Sequence, residues 1–419
     1  MLKFSQPPAS SLQSIFYRAR YVMPMGAPPI EDGGVVVQDG MIVAVGKYTD
    51  LHSQFSSAIY HDLGEIILMP GLINAHCHLD YTMMRNQLQS GSGFTSWIQG
   101  LNKIKFSLEE EDVVTAMVQG WEELYSWGCT SVANIISFPR LLEKLPASPL
   151  RLWQLIEVMD IRGSEQGKEG LQVVEDFLKQ NHKGDRDRKI KFGISPHAPQ
   201  TTSQGLYRCS AGLAQQYHIP FCTHLAESEE EFEMFTQGSG MLFDFLKSFG
   251  RNMSDCGFQT PVQALLNNDL LPHGALLVHM NCLTAKDREL LTQRGNDFFI
   301  VHCPKTHRFF ERAPFDWNFF KKNQYRLLLG TDSLASNDEL NLFSEMQLMA
   351  ATAPELAAKE ILKMVTLHPA EALGMQGKIG ELRAGAFADM ITIPFEGRLS
   401  DVSQAVIENK TSPMIFYSV

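Results

Sequence analysis

The sequence predicts an α/β protein. Its centre is a parallel (β/α)8 barrel of the TIM type, and a small β-sandwich is built from both chain ends. Three observations predict it. Eight short apolar runs alternate with amphipathic stretches between about 66 and 329, as parallel strands buried on both faces require. Histidines and acids gather where those runs stop, which is where barrels of this kind carry their working groups. The first run leads into His76-Cys77-His78 and not into a glycine-rich nucleotide loop, which argues against a doubly wound open sheet.

Residues 1–68 form the N-terminal part of the sandwich. Ile15–Met23, Gly34–Gln38 and Met41–Val45 are β-rich, and Asp39-Gly40 between the last two is a hairpin signal. Residues 69–375 form the barrel. Its runs are Ile66–Ala75, Thr130–Ile136, Leu150–Met159, Ile190–Ser195, Ile219–Thr223, Ala275–Val278, Phe298–Val301 and Arg326–Leu329. Amphipathic segments such as Glu110–Tyr125, Gly170–Lys179, Gly205–Tyr217 and Thr284–Arg294 separate them, and Glu339–Leu373 is helical. Residues 376–419 return to turn-and-strand character and are expected to rejoin the N-terminal β structure.

A chain of 419 residues suits one barrel of about 250 residues or more with an accessory domain. A net charge of −11 argues against nucleic-acid or anionic-membrane partners. The 7 cysteines form no CxxC pair and read as reduced thiols of a cytoplasmic protein. Neither a signal-peptide core nor an apolar run of membrane-spanning length is found. The expected partner is a small-molecule substrate, with homodimerisation an open option.

In a strand, side chains two apart share a face, so His76 and His78 point together and Cys77 away. Later runs stop at His197, at His224 with Glu227, at His279, and at Asp332 with Ser333. A catalytic metal site keeps few protein ligands and one position for water. His76, His78 and His224 would supply nitrogen and Asp332 oxygen to one transition-metal ion. Such an ion lowers the pKa of water from about 16 toward about 7. Asp332 takes the water's proton, Glu227 passes a proton to the substrate and on to the leaving group, and His279 fixes the water and stabilises charge on oxygen. The competing readings are a hydrogen-bonded structural histidine at 279 and a solvated acidic helix face from Glu227 onward. Glu229, Glu230 and Glu231 are assigned to solvent. His302 faces outward or into the core, Cys303 packs, and His307 and Arg308 fall on a loop. His52, His61, His182, His218, His273 and His368 are read as surface residues.

The motifs PGLINAHCHLD (70–80), SPHAPQTTS (195–203), HLAESEEE (224–231), VHMNCLT (278–284), HCP (302–304) and GTDSLASNDELNLFSEM (330–346) resemble the amidohydrolase superfamily. MVTLHPAEALGM (364–375) and GKIGELRAGAFADMITI (377–393) look like its closing segment. Within the superfamily the chain is similar to the branch of aminopurine deaminases and triazine chlorohydrolases. The resemblance implies a metal-dependent hydrolase barrel, one divalent ion (zinc first, iron second), and hydrolytic deamination of an aromatic ring with release of ammonia. It also implies that His197 contacts substrate and that Trp97, in FTSWI (94–98), lines the pocket. Members that hydrolyse cyclic amides often carry a carboxylated lysine at the end of strand four. Here that position reads Ser195-Pro196-His197, so a single metal is expected.

The stretches HLAESEEEFEMFTQGSG, TPVQALL (260–266) and HCPKTHRFFERAPFDW (302–317) look like the subgroup that deaminates 6-aminodeoxyfutalosine, a menaquinone precursor. Another N6-amino purine nucleoside (adenosine, S-adenosylhomocysteine or methylthioadenosine) ranks second, and a guanine or triazine-type ring third. Thr306-His307 stand where the branch usually has a small residue and asparagine. Arg85 and Arg308 are candidates for a substrate carboxylate, Ser333 joins His197 and Trp97 in the substrate set, and 228–273 is a candidate lid.

Overall fold

A computed structural model describes residues 13–89, 91, 93–181 and 189–416. His182 lies outside the described residues. The chain opens with β1 (Ile15–Val22), β2 (Ile30–Gln38), β3 (Met41–Lys47), β4 (Ile59–Asp62) and β5 (Ile66–Pro70). The β2–β3 hairpin turns through Asp39 (φ 50°) and Gly40 (φ 72°), both left-handed as a type I′ turn requires. The barrel strands follow: β6 (Leu72–Cys77), β7 (Cys129–Ile136), β8 (Arg151–Val158), β9 (Ile190–Pro196), β10 (Cys222–Leu225), β11 (Leu276–His279), β12 (Phe299–His302) and β13 (Arg326–Leu329). The last strands are β14 (Met390–Pro394) and β15 (Met414–Phe416).

The terminal strands share one seven-stranded mixed sheet, ordered β15-β14-β5-β1-β2-β3, with β4 also paired to β1. Strand β14 runs antiparallel to β5, which joins the two chain ends. Ala19, Val22, Val35, Ile42, Leu68 and Met390 pack together beneath the sheet. The run Ile66–Ala75 is two strands, because Pro70-Gly71 breaks it. Its first half pairs with β14 and its second half with β7. The sheet therefore changes at Pro70–Gly71, slightly later than the expected boundary after residue 68.

The barrel strands form two parallel sheets, β6-β7-β8-β9 and β10-β11-β12-β13. Two seams close them into a ring. At one, Ile194 bridges Phe221; at the other, Cys77 bridges Asp332. Ile73, Ala75, Ala133, Trp153, Leu155, Val278 and Leu328 fill the interior. A separate apolar layer, including Trp121, Leu152, Ile156 and Phe298, lies between strands and outer helices. Arg151 donates to Asp389 at 2.6 Å, both buried, and so ties the start of β8 to the residue before β14. Among the described residues no helix is long and apolar enough to cross a membrane.

Candidate active site

The site forms where the barrel strands finish. The β6–β7 register shifts between Asn74 and Cys77. Ile73 and Ala75 face the interior, so simple alternation would send Cys77 inward. Across the irregularity Cys77 instead joins the outer layer, and His76 and His78 turn in. The second seam brings β13 against this point. Thr331 N and Asp332 N both donate to the His76 carbonyl at 3.1 Å. A Cβ at Gly330 would stand 2.7 Å from that oxygen, so only glycine permits the approach.

The structure brings the ligating atoms of His76, His78 and His224 within 4.8 Å of one another, and does the same for His76, His279 and Asp332. His78 Nε2 stands 3.2 Å from His224 Nε2, and His76 Nε2 stands 3.6 Å from Asp332 Oδ1. Nitrogens bound at about 2.0–2.1 Å around a common ion would be separated by such distances. Both ring nitrogens of His76 and Nδ1 of His78 are buried without a hydrogen-bond partner. The His224 Nδ1 lies 2.9 Å from the His197 carbonyl, which orients its Nε2 toward the group. Two orphaned nitrogens on His76, an oriented His224 and a buried carboxylate are a donor set that fits one divalent cation.

Burial pushes His224 down to about 3 and His279 well below the usual histidine range, keeping both neutral. Burial also pushes the Asp332 carboxyl up, but the neighbouring imidazoles, His76 first and then His279 and His224, outweigh it and hold Asp332 well below the carboxylate range. Glu227 goes the other way. Burial lifts its carboxyl to about 8, although the Arg312 guanidinium opposes the shift. His279 Nε2 lies 3.6 Å from Glu227 Oε1 and 4.0 Å from Asp332 Oδ2, so it stands between two carboxyls of opposite tendency. Ala226 (φ 51°), His279 (φ 79°), Met280 (φ 51°) and Asp332 (φ 55°) all hold left-handed backbone, the strain that clusters at working sites.

A cavity of about 660 Å³ opens over these groups. His78, His224, His279, Asp332, Glu227 and Ser333 line one end. The other end is apolar. Phe106 and the helix Phe94–Lys105 face Leu242, Phe245 and Leu246 of the helix Met241–Ser248, within the stretch 228–273. Trp97 lines this wall and donates from Nε1 to the Ala335 carbonyl at 3.0 Å. His197 lines the middle, its Nδ1 2.7 Å from Thr201 Oγ1.

Several expectations need correction. Arg85 does not reach the cavity: it pairs with Glu123 and the Asp338 carbonyl. Arg308 is exposed and lies outside the cavity lining. His307 lies on the short helix Pro304–Phe309 and contacts Asn281 and the Ala313 carbonyl. His302, expected outward or in the core, takes the second place: it is buried and stacks on Phe315, with ring centroids 4.0 Å apart. His368 is half-buried against the Leu327 carbonyl. Glu231 is not solvated: its carboxylate accepts from the backbone of Glu227 and Ala226 and thereby holds the loop that carries Glu227. Glu230 caps the helix Phe94–Lys105 through the Phe94 and Thr95 amides.

Two residues in or behind the site escaped sequence reasoning. Arg312 donates to Glu227 Oε1 at 3.1 Å and lies over the Phe310 ring. Glu157 lines the cavity from the end of β8. Period-two counting from Trp153 and Leu155 would have put Glu157 inside. Arg312 is in an irregular loop, where no pattern announces it.

The profile of the Amidohydrolase family matches residues 67–414. The chain is 29% identical over 408 residues to a 5-methylthioadenosine/S-adenosylhomocysteine deaminase of Syntrophobacter fumaroxidans, covering 91% of this chain and 88% of that one. It is 26% identical over 398 residues to an aminodeoxyfutalosine deaminase of Nitratiruptor, covering 93% and 94%. A zinc-bound adenosine deaminase of Xanthomonas campestris superposes with a TM-score of 0.80 at 23% identity, over 97% of this chain and 92% of that one. With the family profile running through barrel and closing strands alike, the chain belongs to the amidohydrolase family.

Proposed function

We propose that the protein is a metal-dependent aminohydrolase that replaces the amino group of a purine-type ring by oxygen and releases ammonia. The observation that carries this reading is the pairing of a three-histidine, one-aspartate cluster with a second carboxyl, Glu227, that burial keeps protonated up to about pH 8. His76, His78, His224 and Asp332 would hold a divalent ion, whose chemistry would be to lower the pKa of a water molecule. Asp332, ionised and beside that water, accepts its proton. Glu227 donates to a ring nitrogen of the substrate, which makes the amino-bearing carbon electrophilic. His279, neutral and between the two carboxyls, orients the water and hydrogen-bonds the oxygen. The proton taken by Asp332 leaves with the amino group and the remaining hydroxyl proton returns to Glu227, so water and aminated ring become ring carbonyl and ammonia with both carboxyls restored. Zinc is supported by the nitrogen-rich donors and by the zinc in the Xanthomonas structure.

For the substrate we propose 6-aminodeoxyfutalosine, and hence a place in menaquinone biosynthesis. The Nitratiruptor relative supports it, as does an apolar far end of the cavity rimmed by Lys103 and Arg162, suited to a distal group that carries a carboxylate. The second reading is 5′-methylthioadenosine, which the Syntrophobacter relative favours and whose methylthio group suits the same apolar wall. All seven cysteines are free, which supports a cytoplasmic location.

The test is ammonia release by the purified, metal-analysed protein with 6-aminodeoxyfutalosine, adenosine, 5′-methylthioadenosine and guanine side by side. The expected outcome is turnover fastest with the first. A metal-loaded protein inactive on all four overturns the reading.

A further inference from the structure

The wall of the cavity beside the metal cluster holds a carboxylate that the deamination steps do not use. Glu157, at the end of β8, has a side chain only 5% exposed, and that exposure faces the cavity. Its Oε2 accepts from Ser137 Oγ at 2.9 Å. Ser137 in turn meets Tyr81 OH at 3.0 Å, and Lys105 Nζ donates to that phenol at 2.8 Å. The charge is compensated from behind by Lys105, but the front oxygen is poorly served. Facing Oε1 is His197 Nε2, at 3.9 Å, too far for a hydrogen bond.

The histidine is an acceptor on that side. Thr201 Oγ1 has one proton and donates it to the Ala198 carbonyl at 3.1 Å, so His197 Nδ1, 2.7 Å away, donates to Thr201. Nε2 then presents its lone pair to the cavity. Gln200 Oε1, buried on the same wall, also has no partner. Glu157 Oε1, His197 Nε2 and Gln200 Oε1 thus all line the cavity without a hydrogen bond. An ionised carboxylate buried in this way calls for hydrogen-bond donors from a ligand.

The wall is adjacent to the metal cluster along two routes. The His197 ring stands 5.1 Å from that of His224, and the Tyr81 ring is stacked on His78 at 5.3 Å. A ring held at Glu227 and Asp332 would therefore project its substituent past Glu157. We infer that Glu157 and His197 together receive the hydroxyls of a sugar on the substrate, and that Glu157 makes the site select ribonucleosides over free bases and deoxy analogues. The inference rests on the deaminase reading above and names its substrate class. Neither Glu157 nor this wall belongs to the proton-transfer machinery. A carboxylate recognises two neighbouring hydroxyls by accepting from both, and charge makes each such bond strong.

The experiment compares kcat/KM of the zinc-loaded protein for adenosine and 5′-methylthioadenosine with that for their 2′,3′-dideoxy counterparts and for adenine. The wild type is expected to prefer each ribonucleoside by about tenfold or more, the discrimination of a hydrogen bond to a charged group. In Glu157→Ala the ribo-to-dideoxy ratio is expected to collapse toward one. Glu157→Gln keeps the side-chain volume and one acceptor oxygen, and is expected to give an intermediate ratio. It also carries the test if the alanine variant does not fold. Wild-type turnover of dideoxy and ribo substrates at equal rates overturns this inference and leaves the deaminase reading standing. So does an unchanged ratio in the folded variants, which would make Glu157 merely the counter-charge of Lys105. No ammonia from these compounds or from 6-aminodeoxyfutalosine sinks the deaminase reading, and this inference with it.

Discussion

The two halves of the barrel contribute differently to the site. Strands β6–β9 are six to eight residues long and end without left-handed residues, whereas β10–β13 are four residues each, and three of them, β10, β11 and β13, finish at Ala226, at His279 with Met280, and at Asp332 in left-handed conformation. The longer half supplies the walls that face a ligand: Tyr81, Trp97, Glu157 and His197. The shorter half supplies the groups proposed to move protons: Glu227, His279 and Asp332, with Arg312 behind them. The proposed metal ligands come from both. On the proposed function, recognition and proton transfer fall to opposite arcs of one ring, so each is expected to be altered with its own kinetic signature.

The largest effect should come from breaking the seam's ligand set. His76→Ala or His224→Ala is expected to bring metal per chain well below one and to abolish ammonia release, as elemental analysis and assay would show. Full metal content in both would mean the arcs do not share an ion. Next is the proton donor. Glu227→Gln should retain the metal and lose about 10²-fold or more in kcat, with KM little moved. Normal turnover by this variant would remove Glu227 from the shorter arc's role.

The pH profile sharpens the same point. Glu227 must be protonated to donate, and burial sets its carboxyl at about 8. Rate should hold below that pH and fall above it as the proton is lost. Arg312 stabilises the ionised form, so Arg312→Met should move this alkaline limb upward and lower kcat by about tenfold. A limb that stays put would make Arg312 only a packing residue. The smallest effect belongs to the longer arc. Trp97→Ala should raise KM by about two- to tenfold and leave kcat nearly alone. A fall in kcat at constant KM would blur the division between arcs.

The sequence made some of this legible and some not. His76, His78, His224, Glu227, His279 and Asp332 stood at ends of apolar runs, so alternation and strand counting reached them. The run Ile66–Ala75 misled, because composition does not tell which sheet a strand joins; only the Pro70-Gly71 break marks the change. Arg85 misled because a cation near a site in sequence takes whichever anion the fold brings, here Glu123, 38 positions away. Arg312 meets Glu227 across 85 positions from an irregular loop, and such pairings have no local signature. Glu230 and Glu231 belonged to an acidic run whose composition suggested solvent, while the fold used two of its members to hold backbone amides.

The carbonyl of His76 accepts from both Thr331 and Asp332, and its imidazole belongs to the metal cluster. One residue therefore both fastens the ring shut and, on the proposed function, would hold the ion. An ion gripped only by the folded chain adds stability by mass action, about 2.7 kcal/mol at a hundredfold excess over its Kd. For this protein a chelator would then act as a mild denaturant, and heat tolerance would depend on the supply of trace metal.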